Sequence, residues 1–139
     1  MDFSFSQREE MLRKSVREFA EGELPKKMDM MEETGEFPID LLKGMAEIGI
    51  TGVITPPEYD GVGLGYIART IALEELGRVC AAIPMAMQVH HMACAAIADF
   101  GSPEQKKKFL PPLAKGETMG SVAVTEPSGG SDVIGIKTR

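Results

Sequence analysis

The residues best suited to chemistry lie near the end of the chain, between Ser121 and Ser131. A short apolar run ends at Thr125, whose hydroxyl offers one donor and two lone pairs. The run Pro127–Ser131 follows, rich in glycine and serine, and backbone without Cβ atoms can approach a ligand closely. Its free N–H groups and hydroxyls suit a polar heterocycle or a phosphate-bearing arm. The alternative, from composition alone, is a plain hairpin loop that binds nothing.

Other residue types that often do chemistry give weaker indications here. His90 and His91 are adjacent in a predicted helix, so their side chains point about 100° apart and cannot share a metal ion as i, i+4 pairs do. We expect them to be satisfied interior or pocket-lining histidines, and we predict no metal site. Several glutamates have no context that marks a catalytic base, and we interpret them as solvated or capping residues. They are Glu58, Glu74, Glu75 and Glu126.

Composition excludes several classes of protein. The 139 residues suffice for a hydrophobic core, and 43% are apolar, which argues against disorder. A net charge of −6 would repel a phosphate backbone, so we predict no nucleic-acid partner. Cys80 and Cys94 form no CxxC pair and are expected to be buried free thiols. Charged residues soon after Met1 interrupt any signal peptide, which favours a cytoplasmic location.

One stretch, residues 81–98, has no charged residue and could form either a membrane-spanning helix or a helix packed inside the protein. Roughly 18 such residues is the lower limit for a membrane-spanning helix. Pro84, Gln88, His90 and His91 interrupt it, and alanine and methionine outnumber the larger aliphatic residues. We therefore predict no membrane span, but a helix packed on all sides by other helices.

Helical periodicity predicts five helices before the chain reaches Gly116. Ser6 and Ser102 each precede a glutamate or glutamine by three residues, the pattern of a capping box that starts a helix. Pro25 is expected to end or bend the first helix, and Pro111–Pro112 to break the fifth. The three helices between them are predicted at about 38–49, 67–79 and 84–99.

After Gly116 the pattern changes to two short β-like runs, Met119–Val124 and Ile134–Lys137, joined by a turn-rich loop. A two-stranded hairpin is marginally stable by itself. We therefore predict an all-α helical bundle over residues 1–115, and over residues 116–139 the truncated start of a second, β-rich domain.

The turn-rich segment carries a family resemblance. Thr125–Asp132, TEPSGGSD, and the GIKT that follows closely resemble the signature of the acyl-CoA dehydrogenase family. Other stretches are similar to that family in the same order and spacing, so the resemblance covers essentially the whole chain. They are Pro57–Tyr66, Glu74–Ala81 and Gly101–Glu117.

This resemblance implies a subunit with an amino-terminal helical bundle, a middle β-barrel-like domain and a carboxy-terminal four-helix bundle. The chain would supply the first and the opening β-hairpin of the second. FAD is the implied cofactor. The residues implied to contact the flavin are Val122, Ala123, Val124, Thr125, Gly130 and Ser131. Ser131 would also touch the pantetheine arm of the acyl-CoA, while Val122 replaces the aromatic residue that the family often carries.

The implied reaction is α,β-desaturation of an acyl-CoA thioester, with electrons passed to an electron-transfer flavoprotein. The family's catalytic glutamate lies in the carboxy-terminal domain. No residue of this chain is therefore assigned as catalytic, and the isolated chain is expected to be inactive. A homotetramer or homodimer is implied for the full-length enzyme.

The resemblance also places Pro84, Met85 and Gln88 at the closed end of the acyl pocket. Gln88 there would favour a short, branched, cyclic or ω-polar acyl group, and the alternative is a glutamine paired inside the bundle. Other functions stay open: an acyl-CoA oxidase, an acyl-carrier variant, or a helical binding module without catalysis.

Overall fold

The computed structural model describes residues 4–138. Within them the chain forms six α-helices and two short 3₁₀-helices, at Pro57–Tyr59 and Val133–Gly135. The α-helices are α1 Gln7–Glu23, α2 Pro25–Thr34, α3 Asp40–Glu47, α4 Gly65–Gly77, α5 Ala82–Phe100 and α6 Pro103–Ala114. In space α1 packs on α4, α4 on α5 and α5 on α6, while α2 and α3 flank α1. The predicted helical class is confirmed.

Two helix starts follow from local side-chain bonds, as predicted. The Glu9 N–H donates to Ser6 Oγ at 3.3 Å, and the Ser6 N–H donates to Glu9 Oε2 at 2.7 Å. Ser102 and Gln105 make the same reciprocal pair at the start of α6. Because these bonds satisfy N–H groups that the helix leaves unpaired, the boundaries are encoded within four residues.

Helix α2 was not predicted. Pro25 does not merely end the preceding helix: it occupies the first turn of a new one, where a missing N–H costs no bond. No residue of α2 is buried. Its only large apolar side chains, Met28, Met30 and Met31, are half-buried, and they give too weak a periodic pattern to indicate a helix from the sequence.

The predicted break at Pro111–Pro112 is wrong, because α6 continues through both prolines to Ala114. They lie in its last turn, where each removes one N–H. Their own carbonyls remain useful: Pro111 accepts from Lys115 N–H and Pro112 from Glu117 N–H, both at 3.0 Å. Leu110 and Leu113 are buried against α5 and against the loop that precedes α4. This burial favours the continued helix.

The prediction that α5 is packed on all sides is also wrong. One face is buried against α4, α6 and the loop before α4, and its residues are Ile83, Met87, His90, His91, Ala93 and Cys94. On the opposite face Met85 is 65% exposed and Phe100 is 88% exposed. No helix among residues 4–138 combines the length and hydropathy needed to cross a membrane.

Glu75 is a buried charge, not the solvated or capping residue that the sequence suggested. Only 2% of its side chain is exposed, yet it accepts bonds from Arg13 Nε at 2.9 Å and from Arg17 at 2.7 and 2.8 Å. Arg78 lies 3.6 Å away. These bonds hold the pKa of Glu75 at about 2, below its usual 4.5, and join α1 to α4.

The two predicted strands, Met119–Val124 and Ile134–Lys137, do not form among residues 4–138. The only pairing near them is one antiparallel bridge between Glu126 and Gly129. Ile134 instead lies in the second 3₁₀-helix and is 98% exposed. A strand needs a neighbour to pair its backbone groups, and the described chain offers these two segments none.

Candidate functional site

Residues 121–125, called here the exposed segment, leave the bundle after α6. All of them are exposed to solvent. Within residues 4–138 their backbone N–H and C=O groups make no hydrogen bond. Such groups are strong donors and acceptors that call for a partner when covered. The segment therefore presents an unused row of polar backbone groups that ends at the hydroxyl of Thr125.

A tight turn follows the exposed segment and returns the chain to Thr125. Glu126 N–H donates to Gly129 C=O at 3.1 Å, and Gly129 N–H donates to Glu126 C=O at 3.0 Å. The turn brings Gly130 against the Thr125 side chain. A Cβ at position 130 would lie 2.9 Å from Thr125 Oγ1, so a larger residue would crowd that hydroxyl. Thr125 and Gly130, both predicted flavin contacts, are thus neighbours.

The carboxylate of Glu126 binds the backbone that follows the second 3₁₀-helix, at Lys137 and Thr138. It accepts from the Thr138 hydroxyl at 2.6 Å and from the N–H groups of Lys137 and Thr138 at 3.0 and 2.7 Å. These bonds hold the pKa of Glu126 below its usual range. A carboxylate so committed is a poor catalytic base, because proton uptake would break its bonds.

Two buried histidines of α5 bind the irregular loop that precedes α4. His91 Nε2 donates to Ile50 C=O at 2.8 Å, and His90 Nε2 lies 3.1 Å from Thr51 C=O. Burial lowers the pKa of His91 to about 4 and lowers that of His90. Among residues 4–138 no three acidic, cysteine or histidine side chains gather as metal ligands. The expectation of interior histidines is confirmed. Both ring nitrogens of His90 have partners, whereas Nδ1 of the buried His91 has no hydrogen-bond partner among residues 4–138.

His90 also reaches the start of the exposed segment. The Gly120 N–H donates to His90 Nδ1 at 3.2 Å. Gly120 lies so close to α5 that an added Cβ would be 2.8 Å from the Cβ of Ala93. Met119 packs against the main core. The exposed segment therefore departs from a fixed point on α5.

The two thiols differ in their surroundings. Cys94 is buried between α5 and α6, and burial raises its pKa to about 11, so it stays protonated. Cys80 is only half-buried, contrary to the expectation that both would be buried. Both are free.

The predicted acyl-pocket residues lie on the outward side of α5. Met85 is largely exposed and Gln88 is half-buried. They are three residues apart, so they share one helix face. In the described part of the chain no hydrogen bond joins them to Ser131, which is itself exposed. A groove of about 550 Å³ lies nearby, between α2 and the start of α5, but none of the predicted site residues lines it.

Comparison with known protein families shows which family the chain belongs to. The family model described as the acyl-CoA dehydrogenase, N-terminal domain, matches residues 6–117. The chain belongs to the acyl-CoA dehydrogenase family.

Several relatives support this membership. The chain is 42% identical over 138 residues to an acryloyl-CoA reductase (NADH) of Anaerotignum propionicum. It is 40% identical over 133 residues to a short-chain specific acyl-CoA dehydrogenase of Clostridium acetobutylicum. The alignments cover 99% and 95% of this chain but 35% of either relative. The chain thus spans about a third of their length.

Solved structures agree with that assignment. An acyl-CoA dehydrogenase of Bacillus anthracis complexed with FAD matches with a TM-score of 0.89 and 34% identity, over 96% of this chain and 23% of that one. A chain in a structure described as the electron transferring flavoprotein of Acidaminococcus fermentans also matches at 0.89, with 33% identity, over 97% and 36%.

In this member of the acyl-CoA dehydrogenase family, sequence reasoning missed the structural roles of two residues near the proposed site. His90 contacts Gly120, and Glu75 holds α1 against α4. A histidine within the uncharged stretch 81–98 is the only sequence signal for the first. The arginines that pair with Glu75 are 58 and 62 positions away in sequence, so no local pattern indicated the second.

Proposed function

We propose that this chain is the flavin-facing amino-terminal part of an FAD-dependent acyl-CoA dehydrogenase. The observation that carries the proposal is the exposed segment, whose unpaired backbone groups end at Thr125 with Gly130 against its side chain. Backbone groups at Ala123 and Val124, with the Thr125 hydroxyl, would hold the polar edge of the flavin. Val122, Gly130 and Ser131 would border it.

The donor set fits a flavin. The ring system carries carbonyl and N–H groups along one edge, and an extended backbone with a terminal hydroxyl offers both donors and acceptors to it. A Cβ at position 130 would fill the space beside the Thr125 hydroxyl. The match to an FAD-complexed acyl-CoA dehydrogenase supports the same assignment.

The proposed reaction is removal of two hydrogens from the α and β carbons of an acyl-CoA thioester. Bound FAD supplies the acceptor for the β-hydride, and a carboxylate takes the α-proton. Among the glutamates of this chain, Glu75 is neutralised by arginines and Glu126 is bound by Thr138 and Lys137. We propose that the base lies outside this chain, as the family resemblance implies, and we expect the isolated chain to be inactive.

The substrate side of the proposal uses Ser131 for the pantetheine arm and Met85 with Gln88 for the far end of the acyl group. Gln88 is half-buried and polar on an apolar face of α5. It would shorten an apolar pocket or bond a polar terminus, so we propose a short, branched, cyclic or ω-polar acyl group.

The electrons would leave to an electron-transfer flavoprotein. The structural match to a chain described with the Acidaminococcus fermentans electron transferring flavoprotein supports that partner. A homotetramer or homodimer is proposed for the complete enzyme.

A second candidate function is the reverse reaction, reduction of an α,β-unsaturated acyl-CoA. The 42% identity to a relative named acryloyl-CoA reductase (NADH) favours it. Both directions act on the same two carbons, so the exposed segment would serve either. An acyl-CoA oxidase, which passes electrons to O₂, is the third possibility.

Anaerobic absorbance spectroscopy on the complete product of the gene tests the proposal. Short acyl-CoA thioesters are expected to bleach its flavin, and an electron-transfer flavoprotein to restore the colour. Restoration by O₂ at a comparable rate would instead identify an oxidase. NADH-dependent loss of an enoyl-CoA, without acyl-CoA bleaching, would identify the reductase. A purified protein without flavin would contradict the whole assignment.

A further inference from the structure

Two hydrogen bonds between His90 and the backbone fix its protonation state, and Cys94 Sγ makes a third contact, 3.6 Å from Nε2. Gly120 N–H can only donate, so the Nδ1 that accepts from it at 3.2 Å carries no proton. Thr51 C=O can only accept, so the Nε2 that lies 3.1 Å from it carries one. The ring is therefore neutral, with its proton on Nε2. Both nitrogens are used, and His90 is fully buried.

Those bonds connect Thr51, in the core, to Gly120, the residue just before the exposed segment. On one side, the Thr51 hydroxyl donates to Ala114 C=O at the end of α6, so the acceptor of His90 is itself fixed. On the other side, Gly120 is the last residue before the segment and lies in close approach to α5. Immediately after it every residue of the segment is exposed. The position of the segment thus depends on the contacts at Met119 and Gly120.

We propose that His90 is a positioning residue for the flavin site: through its bond to Gly120 it sets where the exposed segment leaves α5. This inference rests on the proposed flavin contact of that segment. His90 touches neither cofactor nor substrate in this account. It acts by directing the backbone of residues 121–125 toward the ring that they would contact.

Two substitutions separate the bonds. In His90→Asn the amide oxygen takes about the place of Nδ1, so it can accept from Gly120 while the bond to Thr51 is lost. In His90→Gln the amide nitrogen takes about the place of Nε2, so it can donate to Thr51 while the bond to Gly120 is lost. Each variant loses one bond in the same buried site. His91→Asn serves as the control, because it loses the bond to Ile50 and leaves Gly120 untouched.

The first readout needs no flavin. NMR of the 139-residue chain is expected to show the Nε2–H tautomer of His90. His90→Gln should speed amide exchange at Gly120 about tenfold, whereas His90→Asn and His91→Asn leave it near the wild-type rate. An Nδ1–H tautomer, or equal effects of the two His90 variants, would overturn the anchoring.

The second readout is the dissociation constant for FAD of the complete gene product. His90→Gln should raise it about tenfold, and His90→Asn should restore most of the affinity. If all variants bound FAD equally while Gly120 exchanged faster in His90→Gln, the role of His90 at the flavin would be overturned. The hydrogen bond between His90 and Gly120 would still stand. A wild-type protein that binds no FAD would sink the proposed function instead, and Gly120 exchange would still decide the anchor.

Discussion

At the scale of single residues, Thr125 is the side chain on which the account depends most. It ends a row of unpaired backbone groups, and Gly130 leaves the space beside its hydroxyl open. Among residues 4–138 the hydroxyl itself makes no hydrogen bond. Its polar group therefore contributes nothing to the fold of the described chain and is available to a ligand.

Replacing that hydroxyl tests the assignment with little change in shape. In the complete gene product, Thr125→Val should slow flavin reduction by acyl-CoA, since a lost bond to a buried heterocycle costs about 1–3 kcal/mol. The unfolding midpoint should stay unchanged. Thr118→Val, at an exposed threonine in the same stretch, is the control. Stopped-flow rates equal to wild type would remove Thr125 from the site.

At the scale of elements, the contact between α1 and α4 is held by a charge rather than by apolar packing alone. Glu75 of α4 is buried and binds Arg13 and Arg17 of α1. A buried carboxylate is costly without partners, so these bonds largely offset the cost of its burial. The arrangement also fixes how α1 lies against the helix that leads into α5.

The ion pairs between Glu75 and the two arginines of α1 make the stability of the fold depend on pH. Glu75 has a folded pKa of about 2 against a usual 4.5, so its contribution is present above pH 4.5 and is lost as pH falls toward 2. Glu75→Gln should lower the free energy of unfolding at pH 7 by about 2 kcal/mol, and the difference from wild type should shrink toward pH 2. Glu74→Gln, at the exposed neighbour, should change little. Denaturant titrations that give a pH-independent difference would contradict the pairing.

Helix α5 carries the prediction on substrate length. Gln88→Ala in the complete gene product should shift kcat/KM toward longer acyl chains, because a bulky polar side chain is removed from the proposed end of the pocket. Met92→Ala, one turn further along the outward side, is the matched control. A chain-length profile identical to wild type, with stability intact, would assign Gln88 to packing alone.

Features of the fold that depend on residues close together in the sequence could be predicted, whereas those that depend on residues far apart could not. The capping boxes at Ser6 and Ser102 are local, and both helix starts were predictable. Helix α2 has no fully buried residue and only half-buried methionines, and its periodic signal is weak. The site residues at Thr125 and Gly130 came from a motif, whereas the bond between His90 and Gly120 joins positions 30 apart and depends on the packed structure.

At the scale of the whole molecule, the chain would supply only one side of the proposed flavin site. It spans about 35% of the relatives' length, and its exposed segment has solvent where a cofactor would need further walls. The outward side of α5 is likewise apolar, with Met85, Met92 and Phe100 exposed. We therefore expect the other walls of the proposed flavin site to come from surfaces outside residues 4–138.

Flavin occupancy tests this central claim most directly. The 139-residue chain and the complete gene product would be purified in parallel with added FAD, and bound flavin measured by absorbance after removal of free cofactor. We expect a colourless 139-residue chain and a complete protein with about one FAD per subunit. A 139-residue chain that retains near-stoichiometric flavin, or a complete protein that retains none, would contradict it.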